Sequence, residues 1–256
     1  MQITFLGTGT SHGVPMIGCD CSTCRSTDPR DTRLRTSLFI VTDDGMRVLV
    51  DAGPDLRAQA LAHGISRVDA ILFTHGHADH ILGLDDVRRY NSVMKRPMPL
   101  FGDAVTLGEI RRMFAYVFNP DTPKGGGLPQ LEMFTIAGPF CIGHQEIVPV
   151  PIWHGRRTIL GFRLGAFAYL TDCSGIPDSS WPLLEGVEVV VLDALRQRPH
   201  STHFSLDEAV EVSQRIGARQ TYFTHMCHDL PHAATCARLP PGVSLAHDGL
   251  QCRVAG

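Results

Sequence analysis

The chain lacks any run approaching the roughly 20 apolar residues that a membrane-crossing helix needs, so no membrane partner is expected. It also lacks a long basic run. With 23 lysines and arginines against 26 acidic residues its formal net charge is −3, which argues against broad electrostatic capture of a nucleic-acid duplex. The opening residues, Met1-Gln2-Ile3-Thr4-Phe5-Leu6-Gly7, show neither a basic cluster nor a long apolar stretch. No secretory leader is therefore expected, and the expected setting is the reducing cytoplasm.

What the chain does have is 8 cysteines, 13 histidines and a 43% hydrophobic content over 256 residues, enough to build a sizeable core without disulfides. Cys141, Cys173, Cys227, Cys236 and Cys252 are scattered, whereas Cys19, Cys21 and Cys24 cluster. In a reducing compartment such a cluster marks a metal site more often than a covalent framework.

Short β-branched runs read as buried strands at 37–42, 47–50, 68–73, 147–152, 167–170, 187–192 and 220–224, and Asp43-Asp44-Gly45 between the first two reads as a hairpin turn. A helix is expected over 54–63, with Pro54 near its start and Gly64 after its end. A second is expected from the capping box Ser205-Leu206-Asp207-Glu208 to Gly217. Each half of the chain gives strands first and then alternating strand and helix, a layered α/β pattern read as a single domain over 1–256. The Pro/Gly-rich stretch 118–129 fits no regular element and reads as a surface loop or a lid over a site.

His75, His77, Asp79 and His80 follow directly on the apolar run ending at Phe73. A strand end is a rigid platform, and imidazole with carboxylate suits zinc, manganese or iron. His154, Asp172 and His225 repeat the pattern, each just beyond an apolar run, so the seven together read as a two-metal centre. The trio Cys19, Cys21 and Cys24 can wrap one face of a tetrahedral zinc but has no fourth ligand nearby in sequence. His12, His63, His144 and His232 read as surface or loop residues, with His12 close enough to Cys19 to approach a substrate.

With these motifs the chain resembles the metallo-β-lactamase-fold hydrolases over nearly its whole length. Leu49-Val50-Asp51-Ala52-Gly53 matches the early Asp motif of that fold, and His75 to His80 matches its HxHxDH loop. Leu6-Gly7-Thr8-Gly9-Thr10 and His203 ahead of the Ser205 helix fit the phosphodiesterase branch, which holds the tRNA 3′-processing ribonucleases and the PhnP-like cyclic phosphodiesterases. The resemblance implies a four-layer αββα sandwich. It implies two catalytic divalent metals, zinc or manganese, one held by His75, His77 and His154 and the other by Asp79, His80 and His225. Asp172 would bridge them and Asp51 would brace the loop from behind. A water between two such cations loses its proton near neutral pH and becomes the nucleophile.

His203 is implied as the group that protonates the leaving alkoxide or donates to a phosphate oxygen, with His200 as its competitor. In PhnP-like proteins the clustered thiols are completed by a histidine three residues beyond the last catalytic histidine, here His228, giving a closed structural zinc site. Cys227 in its place, or a redox pair of Cys21 and Cys24, are the alternatives. The expected substrate is a small cyclic or nucleotide-like phosphodiester. A thioester or lactone hydrolase, a tRNA 3′-endonuclease and a non-catalytic zinc scaffold are the competing functions, and a homodimer is expected by analogy with relatives.

Overall fold

In the computed structural model, which describes residues 1–123, 125 and 127–255, the apolar runs form two seven-stranded sheets. The first is ordered β14-β1-β2-β3-β4-β5-β6, from β1 (Gln2–Gly7), β2 (Ser37–Val41), β3 (Arg47–Val50), β4 (Ala70–Leu72), β5 (Met98–Gly102), β6 (Leu131–Thr135) and β14 (Gln251–Arg253). The second is ordered β13-β12-β11-β10-β9-β8-β7, from β7 (Phe140–Ile142), β8 (Gln145–His154), β9 (Arg157–Leu164), β10 (Phe167–Leu170), β11 (Val189–Asp193), β12 (Gln220–Thr224) and β13 (Val243–Leu245). In each sheet an antiparallel meander leads into parallel strands: β1-β2-β3 then β4-β5-β6, and β7-β8-β9-β10 then β11-β12-β13. The two-part rhythm of the sequence is thus the rhythm of the fold.

Side-chain alternation explains the layering, because successive residues of a strand face opposite sides. Val48 and Val50 of β3 lie between the sheets with Phe5, Leu38, Phe162, Tyr169, Val189 and Val191. Leu49 points the other way, packing with helices α1 (Leu56–Ala62), α3 (Val87–Met94) and α4 (Ala104–Met113) through Leu56, Val87, Tyr90, Leu107 and Ile110. In β11, Val190 and Leu192 likewise face α6 (Leu206–Ile216), meeting Leu206 and Ala209. Helix, sheet, sheet and helix form the four-layer αββα sandwich, and strands buried on both faces read as unbroken apolar runs. Short helices α2 (Ala78–Ile81), α5 (Ala115–Phe118) and α7 (His232–Cys236) complete the set, and among the described residues no helix is long and apolar enough to cross a membrane.

The sequence expectations hold for the strands they named, with ends shifted by at most two residues. The α6 capping box forms as read: Ser205 N donates to Glu208 Oε2 at 2.8 Å, and the helix stops at Gly217 with φ 71°. Helix α1 begins at Leu56 rather than Pro54, because the Asp55 carboxylate is drawn away to the Arg35 backbone N–H (2.8 Å) and guanidinium (3.1 Å). Of the 118–129 stretch, Gly127 and Leu128 line a surface cavity together with Arg88, Asn91 and Ser92 of α3, and just beyond it Gln130 N donates to Asn91 Oδ1 at 2.9 Å. The part of the lid reading that falls on Lys124 and Gly126 lies outside the described residues. His232 is a correction. It is buried at the start of α7, its N–H held by Asp31 Oδ1 at 2.8 Å, and burial pushes its imidazole down to about 4.

Candidate active site

Strands β3, β4, β8, β10, β11 and β12 all end on one edge of the sandwich, and the residues at or just beyond those ends carry the chemistry. Asp51 follows β3, His75 follows β4, His154 closes β8, Asp172 follows β10, Asp193 closes β11 and His225 follows β12. Three of them turn sharply there: Asp51, Asp172 and His225 have φ of 62°, 58° and 59°. That left-handed geometry costs a non-glycine residue on the order of 1–3 kcal/mol, and it is kept where the surroundings over-determine it. Two glycines permit the close packing behind the cluster. A Cβ on Gly53 would stand 2.1 Å from the Asp79 carbonyl oxygen, and one on Gly76 would stand 2.0 Å from Glu109 Oε2. Glu109 in turn holds Arg157 through two hydrogen bonds of 3.1 and 2.8 Å, tying α4 to β9 beside His77.

The structure brings all seven predicted residues together. His75, His77 and His154 gather ring nitrogens at one place, and an Asp79 carboxylate oxygen gathers with ring nitrogens of His80 and His225 at another, each group within 4.8 Å internally. Asp172 lies between them, with Oδ1 3.3 Å from His80 Nε2 and Oδ2 at 3.3 Å from His225 Nε2 and 3.8 Å from His75 Nε2. Behind the rings the Nδ1 atoms are held. His80 Nδ1 meets Asp51 Oδ2 at 2.8 Å, His75 Nδ1 meets Thr74 Oγ1 at 3.0 Å, and His154 Nδ1 meets the Asp172 and Thr202 carbonyl oxygens at 2.9 Å each. Asp51 also accepts from Thr74 N and Thr74 Oγ1, both at 2.9 Å, so it braces the loop as expected.

The donor set fits divalent cations. The Nε2 atoms of His75, His80 and His225 are buried without a hydrogen-bond partner, which a metal would satisfy. Burial lowers His75 and His77 and pushes His154 down to about 4, leaving three neutral imidazoles with free lone pairs. Burial would lower His80 too, but the surrounding Asp172, Asp79 and Asp51 carboxylates hold it well above its ordinary value. Burial opposes the charges on Asp79 and Asp172 as well, yet the nearby imidazoles keep both well below the usual carboxylate range. A cluster this rich in fixed negative charge and inward-facing nitrogen calls for positive charge at its centre. Asp51→Asn tests the bracing: asparagine tolerates the positive φ but gives His80 no anionic acceptor, and metal affinity measured by competition with a chelator is expected to fall about 10–100-fold.

Of the two competing histidines, His203 is the one that lies against the cluster. Its ring lies 4.8 Å from that of His225 and 4.9 Å from that of His154, whereas His200 is exposed on the rim with Nδ1 3.1 Å from Thr202 Oγ1. His203 Nδ1 meets the fully buried Asp193 Oδ2 at 2.9 Å. Burial lowers His203 and raises Asp193 well above its ordinary value. Asp193 escaped the reading of the sequence, although it stands at the end of an apolar run; its other oxygen lies 3.7 Å from His225 Nδ1, with no hydrogen bond between them.

The cysteine cluster gains its fourth member as implied. His228 Nδ1 lies 3.1, 3.4 and 3.5 Å from the Sγ atoms of Cys19, Cys21 and Cys24, while Cys227 Sγ turns away to accept from Asp229 N. The Cys24 backbone N–H bonds Cys21 Sγ and lowers that thiol to about 7, while burial raises Cys24 to about 11. Only two residues, Met226 and Cys227, separate His225 from His228, so this clasp ties the N-terminal loop to the edge of the main cluster. Fully buried Arg33 holds the same segment, donating to the Cys227 carbonyl at 2.8 Å and to that of Leu230.

Comparison with known proteins agrees with this geometry. Residues 46–226 match the model of the beta-lactamase superfamily domain. A solved diphosphatase of the PhnP family is 45% identical and superposes with a TM-score of 0.93, covering 99% of this chain and 98% of the other. The short-form human tRNase Z, at 19% identity and a TM-score of 0.71, shares the fold over 100% of both chains. An octanoyltransferase from Porphyromonas gingivalis is 38% identical over 98% of this chain, but the chain spans only about half (51%) of that longer protein. The coenzyme PQQ synthesis protein B of Xanthomonas axonopodis pv. citri is 27% identical, covering 95% of this chain and 87% of the relative. The chain belongs to the metallo-β-lactamase superfamily. Within it the chain falls with the PhnP-like proteins, as a hydrolase whose fold implies divalent metal.

Proposed function

We propose that the chain hydrolyses a small phosphodiester, cyclic or nucleotide-like, at the cluster running from His75 to His225. The observation that carries this reading is the His203–Asp193 pair, buried beside the cluster and joined at 2.9 Å. A thioester does not need such a pair, because its thiolate leaves without a proton. Phosphate diesters with alkoxide leaving groups do need a positioned acid. The diphosphatase relative at 45% identity supports a phosphoryl centre and extends the substrate class to diphosphate linkages.

In this reading His75, His77 and His154 hold one zinc or manganese ion, Asp79, His80 and His225 hold the second, and Asp172 faces both. Such a pair supplies an activated water and neutralises charge building on the phosphoryl oxygens. Asp51 and Thr74 fix the ring orientation of His80 and His75. Asp193 would accept the Nδ1–H of His203, so that a second proton taken up at Nε2 can pass to the departing oxygen and leave the ring neutral. Cys19, Cys21, Cys24 and His228 hold a structural zinc that pins the N-terminal loop beside the site. Cys21→Ser is expected to lower the metal content by about one ion per chain and to open residues 10–24 to limited proteolysis. Transfer-RNA processing is disfavoured, because the 118–129 stretch carries a single lysine and makes a poor clamp.

The test is direct assay of the metal-loaded protein on bis(p-nitrophenyl) phosphate and 2′,3′-cyclic nucleotides. Metal-dependent turnover is expected, and no turnover of any diester would sink the reading.

A further inference from the structure

The three histidines assigned to one ion are not held equally. His75 Nδ1 meets Thr74 Oγ1 at 3.0 Å, and His154 Nδ1 meets the carbonyl oxygens of Asp172 and Thr202 at 2.9 Å each. The exposed His77 ring has no hydrogen-bond partner among the described residues. A ligating imidazole is ordinarily oriented by a partner on its second nitrogen. For His77 that task falls to its backbone. Its carbonyl accepts from His80 N at 3.0 Å, and on its other side stands the buried Gly76.

Gly76 is confined from elsewhere in the chain. Glu109 of α4 lies along it: a Cβ on Gly76 would stand 2.0 Å from Glu109 Oε2, 2.9 Å from its Cβ and 3.0 Å from its Cδ. Carboxylate and stem thus both press on the backbone between His75 and His77. Helix α4 is itself anchored beyond β5, where Asp103 Oδ1 accepts from Thr106 N at 2.6 Å. Both terminal nitrogens of Arg157 grip the same carboxylate, at 3.1 and 2.8 Å. Arg157 opens β9, paired in register with His154 across the Gly155-Arg156 turn. One two-pronged ion pair therefore runs from the His77 loop of the first sheet to the His154 hairpin of the second. With side chains 28% and 20% exposed, such a pair adds little to the stability of the fold. A metal site is more demanding, because its ligands must be held to within about 0.5 Å.

We propose that Glu109 and Arg157 are positioning residues for one metal of the two. Their ion pair sets the span between His77 and His154, and so the affinity for the ion that these residues and His75 would hold. The inference rests on the two-metal reading above and adds to it that each ion has its own brace. Asp51 serves the ion on His80, and the Glu109–Arg157 pair serves the ion on His77.

The experiment is competition for zinc between the full chain and a chromophoric chelator, with metal per chain checked by elemental analysis. Glu109→Gln and Arg157→Gln are each expected to weaken one cluster ion about 10–100-fold, and Arg157→Lys, which keeps the charge without the fork, to fall between. The double variant should lose no more than either single one, as partners in one interaction do. The decisive background is His77→Ala, which has already given up a ligand of the ion in question. There Glu109→Gln is expected to shift zinc affinity by less than about twofold, the scatter of independent sites. Melting of the metal-stripped variants checks that each is folded. Unchanged zinc affinity in Glu109→Gln, or the full loss persisting in the His77→Ala background, overturns the positioning role and leaves the pair a general brace. If the wild-type cluster takes up no zinc, the two-metal reading falls and the positioning role with it. If it takes up two ions and the variants match wild type, only the positioning role falls.

Discussion

Replacing His203 by alanine is expected to slow hydrolysis of a diester with an alkoxide leaving group by about 10²–10⁴-fold. A p-nitrophenyl ester, whose leaving group departs without a proton, is expected to lose less than about tenfold. The contrast follows from where His203 sits. Its Nδ1 is committed to Asp193 at 2.9 Å, so its other nitrogen is the one available to a substrate oxygen. Asp193→Asn should move in the same direction, because an amide cannot favour the correct tautomer as a carboxylate does. The metal content of both variants should equal that of wild type, which separates an acid from a ligand. Equal losses on both esters, with metal lost as well, would make His203 a ligand instead.

Asp172→Asn is expected to reduce turnover on the order of 10³-fold or more and to lower metal occupancy at the same time. The substitution is a clean one. Asparagine has nearly the same shape and tolerates the φ of 58° that residue 172 adopts, so the backbone turn survives and the charge alone is lost. That charge is central. Its two oxygens reach His80, His225 and His75 at 3.3, 3.3 and 3.8 Å, so Asp172 is the one carboxylate shared by both nitrogen groups. The readouts are metal per chain and kcat on bis(p-nitrophenyl) phosphate, measured on the same preparation. Full occupancy with unchanged turnover would remove Asp172 from the centre.

Much of this site was legible before the fold was known, for a physical reason. Metal ligands on strand ends leave a local mark, an apolar run followed by histidine or aspartate, and His75, His154, Asp172 and His225 all carry it. Asp193 carries the same mark, but it is one aspartate among many until its side chain is seen beside His203. Partners that meet only through folding left no mark at all: Glu109 under Gly76, or Arg33 against the carbonyls of Cys227 and Leu230. The fold was legible to a similar depth. Strands buried on both faces announced themselves as continuous runs. Strand β5 was hidden by Pro99, and β9 by Gly161, where a side chain would collide with Leu170 Cδ2 at 2.4 Å from its Cβ.

The most direct test of the whole account is to count metal and turnover together as the metal is withdrawn. Purified protein is dialysed against increasing chelator, metal per chain is measured by elemental analysis, and bis(p-nitrophenyl) phosphate hydrolysis is followed on the same samples. The account predicts about three ions per chain at the start, two from the histidine–aspartate cluster and one from the cysteine clasp. Activity should disappear as the cluster empties and return when zinc or manganese is restored. A protein that holds a single ion, or one that keeps hydrolysing the diester after the cluster is stripped, would contradict it.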